Sequence, residues 1–133
     1  MPSLYSNKSS TILTGADNWE EWLGNIRRLA KNADIWDSID PTKGENEVIQ
    51  LSKPKSPEYS QVKASATTFA ELDPAKREEW NRLNKLYIEQ VNEFQQKRRL
   101  MNELIGRIQD TVDRKGASYI SQCDIAYKML QKL

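Results

Sequence analysis

The chain has 133 residues, 29% of them charged but with a formal net charge of only +1, which suits one domain with a modest core and gives no overall pull toward nucleic acid or membrane. Histidine is absent and Cys123 is the single cysteine, which excludes an internal disulfide, a Cys/His zinc site and Ser-His-Asp or Cys-His catalysis. No apolar run approaches the roughly 20 residues of a membrane span, and Met1–Thr14 lacks the apolar centre of a signal peptide, so the expected location is cytoplasmic.

Residues 1–12, rich in Ser, Thr, Asn and Lys, read as a mobile arm, with Ile12 and Leu13 able to pack across the first helix. That helix is expected from about Asp17, capped by Asp17 or Asn18, with Glu20 and Glu21 at the positive end of its dipole. Its apolar face is Trp19, Trp22, Leu23, Ile26, Leu29 and Ala30, a helical spacing, while Arg27, Arg28 and Lys31 face out. A break at Asn32-Ala33 and a short helical piece over Asp34–Ile39 return Trp36 to that face before Pro41 ends the segment. Three of the four tryptophans therefore fall within eighteen residues. Stacking platforms for bases interleave rings with basic groups, so these rings read as core or interface.

From 41 to 58 the chain holds Pro41, Pro54 and Pro57 among Lys, Glu and Ser, with little apolar area beyond Val48, Ile49 and Leu51, and reads as a flexible loop. A short helix is expected over Gln61–Leu72. Asp73-Pro74, followed by Glu78 and Glu79, opens the dominant element, a helix over about 74–113. Its stripe runs through Trp80, Leu83, Tyr87, Val91, Phe94, Met101, Ile105, Ile108 and Val112, broken between 94 and 101 where Lys97 or Arg98 takes the intervening place. Leu86, Leu100 and Leu104 widen it beyond a coiled-coil seam, which predicts an all-α helical bundle built around this helix. Arg114-Lys115-Gly116 reads as its stop. Ser121-Gln122-Cys123-Asp124 reads as a capping box for a last helix bearing Ile125, Tyr127, Met129, Leu130 and Leu133, with Cys123 as a small buried hydrophobe at its start.

Few signals point to chemistry. The adjacent carboxylates Glu20-Glu21 and Glu78-Glu79 lie about 100° apart on a helix and do not converge on one atom. No glycine-rich phosphate loop is present, and no cofactor or small-molecule substrate is indicated. Charge is uneven: residues 1–40 carry four basic and six acidic groups, residues 59–133 thirteen and ten. The run Lys97-Arg98-Arg99, with Arg107, Arg114 and Lys115 beyond it, is the candidate nucleic-acid face, although Glu93, Glu103 and Asp110 beside it favour a solvated helix surface.

The stretch Leu13–Pro41 resembles the opening of the Gag protein of copia-type LTR retrotransposons in its fungal form, on Leu13, Gly15, Asn18-Trp19, Trp22, Leu29 and Ile35-Trp36-Asp37 with Ile39. The likeness continues in order through Thr67–Pro74, Arg107–Val112 and Cys123-Asp124 with Ala126-Tyr127-Lys128-Met129-Leu130 and Leu133, around a Pro-rich insert. The resemblance implies a single N-terminal capsid-type helical domain over 13–133, non-enzymatic, whose copies self-associate into a shell around element RNA. The motif positions are then Leu13, Gly15, Asn18, Trp19, Trp22, Trp36 and Tyr127. The chain has no C-x-x-C-x-x-x-x-H-x-x-x-x-C zinc knuckle and no Asp-Thr-Gly or Asp-Ser-Gly motif, and stops where the family's second capsid half begins. A capsid fragment, a truncated element and a host gene made from one all fit that pattern. Expected partners are other copies of the chain or the C-terminal capsid half, and RNA; the alternatives are a nucleic-acid-binding module using the basic face and a protein-binding adaptor. Leu86, Ile88, Leu100 and Leu104, beside the main stripe, are the expected self-association residues, each worth about 1.5–3 kcal/mol when buried.

Overall fold

A computed structural model describes residues 11–133. Its described part is all-α, built on one long helix, with four α-helices: α1 (Trp19–Asn32), α2 (Pro74–Asp110), α3 (Arg114–Ile120) and α4 (Ala126–Lys132). Single 3-10 turns at Ala16–Asn18, Trp36–Ser38, Tyr59–Gln61 and Phe69–Glu71 punctuate the rest. None of the described helices is long and apolar enough to cross a membrane. Most of the expected arm lies outside the described residues; Thr11 and Ile12 are its described end, where the Ile12 carbonyl accepts from Asn18 Nδ2 at 2.6 Å.

The chain divides into two compact units, one formed by residues up to 51 together with 97–133, the other by 52–96. At 37 residues α2 is about 55 Å long and contributes to both. The unit boundary falls at Lys97, where the sequence stripe is interrupted: Trp80 and Leu83 serve one core, Leu100, Leu104 and Ile108 the other.

In the first unit Trp22, Ile26, Leu29 and Ala30 of α1 pack with Leu100, Leu104 and Ile108 of α2 and with Ile120, Met129 and Leu130 from the C-terminal helices. Trp22 is 1% exposed, while Trp19 and Trp36 are half-buried against this cluster. α1 ends in a Schellman motif: Asp34 adopts φ 59°, its N–H donates to Lys31 O, and the Ile35 N–H reaches back to Ala30 O at 2.9 Å. The reversal delivers Ile35 and Ile39 to the core. Trp36–Ser38 then forms one 3-10 turn where a helical piece over Asp34–Ile39 was expected.

The second unit has a smaller core of Val62, Ala66 and Leu72, against which Tyr59, Trp80 and Leu83 pack. The Tyr59 and Trp80 rings are 4.3 Å apart. The helix expected over Gln61–Leu72 is replaced by the 3-10 turns at its two ends. Side chains compete successfully with helical hydrogen bonding here: Glu58 and Gln61 close a capping box, and Glu71 Oε2 accepts from the Thr67 N–H at 2.8 Å.

The C-terminal region corrects two further expectations. α2 ends at Asp110, short of 113, because the backbone beyond it pairs with the N-terminal segment: Leu13 N–H donates to Thr111 O at 2.7 Å and Asp113 N–H to Leu13 O at 3.0 Å. Arg114-Lys115-Gly116 opens α3, which Asp113 caps by accepting from the Gly116 N–H at 2.8 Å. Gly116 is a packing glycine, since a Cβ there would lie 3.0 Å from Val112 Cβ. The expected capping box at Ser121–Asp124 does not form; Ile125 occupies the N-cap of α4 with no side-chain cap, and Cys123 is half-buried.

Candidate functional site

Five of the seven motif positions, Leu13, Gly15, Asn18, Trp19 and Trp22, lie where the N-terminal segment enters α1 beside the end of α2, while Trp36 and Tyr127 lie elsewhere in the first unit. Gly15 takes φ 157°, ψ −164°, a conformation open to glycine and strained for other residues, and thereby lets the chain turn from the Leu13 pairing into α1. Asn18 holds that turn from inside: its Oδ1 accepts from the Thr14 N–H at 3.0 Å while its Nδ2 donates to Ile12 O. It therefore braces the entry instead of capping α1 with its side chain. Leu13 is 6% exposed and anchors the segment with both its backbone groups.

Trp22 carries the deepest polar contact. Its indole N–H donates to Thr111 Oγ1 at 2.9 Å, and the Thr111 hydroxyl donates onward to Arg107 O at 2.6 Å. A buried ring of this size leaves one donor to satisfy, and Thr111, itself 4% exposed, satisfies it. Trp19 lies beside Trp22 with ring centroids 5.7 Å apart, and the Arg27 guanidinium sits 5.6 Å over the Trp36 ring. Tyr127 is buried, with its hydroxyl donating to Lys43 O at 2.7 Å and accepting from Gln131 Nε2 at 2.7 Å. The 41–58 region is thus irregular as expected, yet fastened at Lys43 and at Ile49, whose N–H donates to Asp37 O at 3.1 Å.

Beside Lys43, burial alone would raise the pKa of Asp40. Hydrogen bonds from the Thr42 hydroxyl and amide, with Lys43 and Arg27 nearby, outweigh that and hold the carboxyl below its ordinary value. It is a local turn device.

The basic run is largely engaged. Lys97 Nζ lies 3.5 Å from Asp34 Oδ2, and Arg99 pairs with Glu103 at 3.1 Å, one helical turn on. Arg98 is exposed, and Arg107 is half-buried with its carbonyl bonded to Thr111. Two of the three adjacent cations are thus matched by carboxylates, Arg99 by the neighbouring Glu103 and Lys97 by the distant Asp34. Among the described residues no group of three or more His, Cys, Asp or Glu is placed to hold a metal ion.

The apolar surface differs from the expected set. Leu100 and Leu104 are 7% and 0% exposed and belong to the core of the first unit, clustered with residues of α1, α3 and α4, which corrects their assignment to contacts between copies. Leu86 and Ile88 remain exposed on the second unit, at 44% and 51%. The first unit exposes Ile12, Ile49, Tyr119 and Ile125, and sequence reasoning missed Tyr119 at 52% and Ile125 at 48% as surface positions. Ile125 is outside because it precedes α4 instead of lying on its apolar face. A cleft of ≈ 810 Å³ is lined by both Tyr119 and Ile125, with Cys123 and Lys128, and two smaller clefts adjoin one of them each. One, of ≈ 360 Å³, is lined by Leu13, Gly15, Trp19, Lys115, Tyr119 and Leu133; the other, of ≈ 270 Å³, by Ile39, Val48, Leu51, Met101, Ile105 and Ile125.

No family model, curated protein or solved structure matches the chain.

Proposed function

We propose that this chain is a non-enzymatic assembly module, a Gag-like capsid domain of copia type that self-associates through weak, repeated contacts into a shell around RNA. The observation that carries the reading is the exposed apolar surface: Tyr119 and Ile125 beside the clefts of the first unit, Leu86 and Ile88 on the second. The motif residues support it from the inside. Leu13, Gly15, Asn18, Trp22 and Tyr127, on which the resemblance rests, each serve the scaffold. Scattered apolar residues of this size suit small interfaces, below the roughly 1,200 Å² of a stable pair, and a shell is built from such contacts in number. RNA capture by this chain would draw on Arg98 and the cations of the C-terminal half, and would be weak and salt-sensitive.

Sedimentation velocity across micromolar to millimolar concentration tests the reading. We expect a weight-average coefficient that rises with concentration, and a smaller rise for the Tyr119→Glu/Ile125→Glu variant. A strict monomer at millimolar concentration overturns assembly by this chain and favours a protein-binding adaptor.

A further inference from the structure

We infer that Ser56 is a phosphoacceptor for a proline-directed serine/threonine kinase. Ser56-Pro57 is the only Ser-Pro or Thr-Pro step in the sequence. It lies in the second unit, in the stretch 51–58 that has no helix, turn or bend. Exposure along that stretch repeats every third residue: Leu51, Pro54 and Pro57 are half-buried, while Ser52, Lys53, Lys55, Ser56 and Glu58 are exposed. Three residues per turn is the period of a polyproline-type strand, here with one face laid down and two faces open to solvent. Ser56 is on an open face.

A kinase threads its substrate through the cleft as an extended strand, and a serine in a helix must unfold first. Among the described residues none donates or accepts a backbone hydrogen bond to 50–57, so no backbone hydrogen bond has to be broken. Pro57 adds two properties. It restricts Ser56 to extended conformations, and it has no N–H to lose. A cleft that offers no acceptor immediately after the reacting serine leaves any other residue with a desolvated, unpaired N–H, which is how proline is selected. Four other hydroxyls are engaged with acidic side chains: Thr11 with Glu21, Thr42 with Asp40, Ser60 with Glu58 and Thr67 with Glu71.

In the reaction Ser56 Oγ attacks the γ-phosphorus of magnesium ATP, the bond to the β,γ-bridging oxygen breaks and ADP leaves, and the hydroxyl proton passes to the kinase's catalytic aspartate. The product carries about −1.5 to −2 of charge one residue from Lys55 and three from Lys53. Residues 52–58, with two lysines and one glutamate, pass from net positive to net negative. The inference stands apart from the assembly reading and survives its failure.

The full chain is incubated with a proline-directed kinase of the cyclin-dependent or mitogen-activated class and magnesium ATP, and sites are mapped by mass spectrometry. We expect one phosphate, on Ser56, incorporated at a rate within a few-fold of that for the isolated 50–60 peptide, as the open strand requires. Ser56→Ala should abolish it, and Pro57→Ala should lower the rate about tenfold or more, the effect of one unpaired N–H, with the helical circular dichroism unchanged in both. Absence of phosphate from the full chain while the peptide is modified overturns the inference, as does phosphate elsewhere or a rate indifferent to Pro57→Ala.

Discussion

The buried indole of Trp22 and the hydroxyl of Thr111 act as one unit. The ring fills space between α1 and α2, and its single N–H would be an unpaired buried donor without Thr111 Oγ1 at 2.9 Å. Thr111→Val, which keeps the shape and removes the acceptor, should cost about 1–3 kcal/mol in urea denaturation. Trp22→Ala should cost about 3–5 kcal/mol, since a cavity is left as well. Combined, the two should cost less than the sum of the singles, because once the ring is gone the hydroxyl has no indole to serve. Strict additivity would mean that the hydrogen bond contributes nothing. Trp22 was legible as core from its spacing with Ile26 and Leu29. Its partner was not, because a contact 89 positions away leaves no mark in local sequence.

At the scale of elements, α2 shows how one helix carries two kinds of apolar position. Leu86, Ile88, Leu100 and Leu104 look alike as additions to a stripe, yet two are exposed and two buried. Leu104→Ala should destabilise by about 2–5 kcal/mol and Leu86→Ala by well under 1 kcal/mol, measured by the same denaturation experiment. Similar losses at both positions would contradict the packing described for α2. The interruption at Lys97 was visible in the sequence. Which side of it would be covered was decided by α1, α3 and α4, whose Trp22, Ile26, Ile120 and Leu130 share a core with the C-terminal part. The extra helix α3 was hidden for a related reason: Gly116 carries a stop signal locally, but close approach to Val112, 3.0 Å from where a Cβ would sit, is what favours a residue without a side chain there.

At the scale of the whole molecule, the two units differ in how much apolar surface they bury. The first has a broad core drawn from four helices, the second only Val62, Ala66 and Leu72 with partly buried rings at its edge. Opening free energy follows buried apolar contact, so native-state hydrogen exchange should release the amides of the Tyr59–Gln61 and Phe69–Glu71 turns and of the N-terminal half of α2 at lower free energy than those of α1 and Leu100–Asp110. Uniform protection across both would show that the small core is not an independently opening unit.

Much of this architecture is set by sequence alone: the α class, the span of α1, the start of α2 at Pro74, the irregular stretch after Pro41, and Trp22 and Tyr127 as interior positions. Each is local physics, in which 3.6-residue periodicity, proline's fixed φ and carboxylates at helix N-termini act over a few residues. Tertiary structure alone decided that Leu13 pairs with the backbone beyond α2 and ends that helix, that Thr111 receives the Trp22 indole, and that Leu100 and Leu104 are core while Tyr119 and Ile125 are surface. Those outcomes depend on which distant segment reaches each backbone group or side chain first, and a hydrogen bond or buried face formed across nearly a hundred residues is settled by the packing of the whole chain, not by its neighbours in sequence.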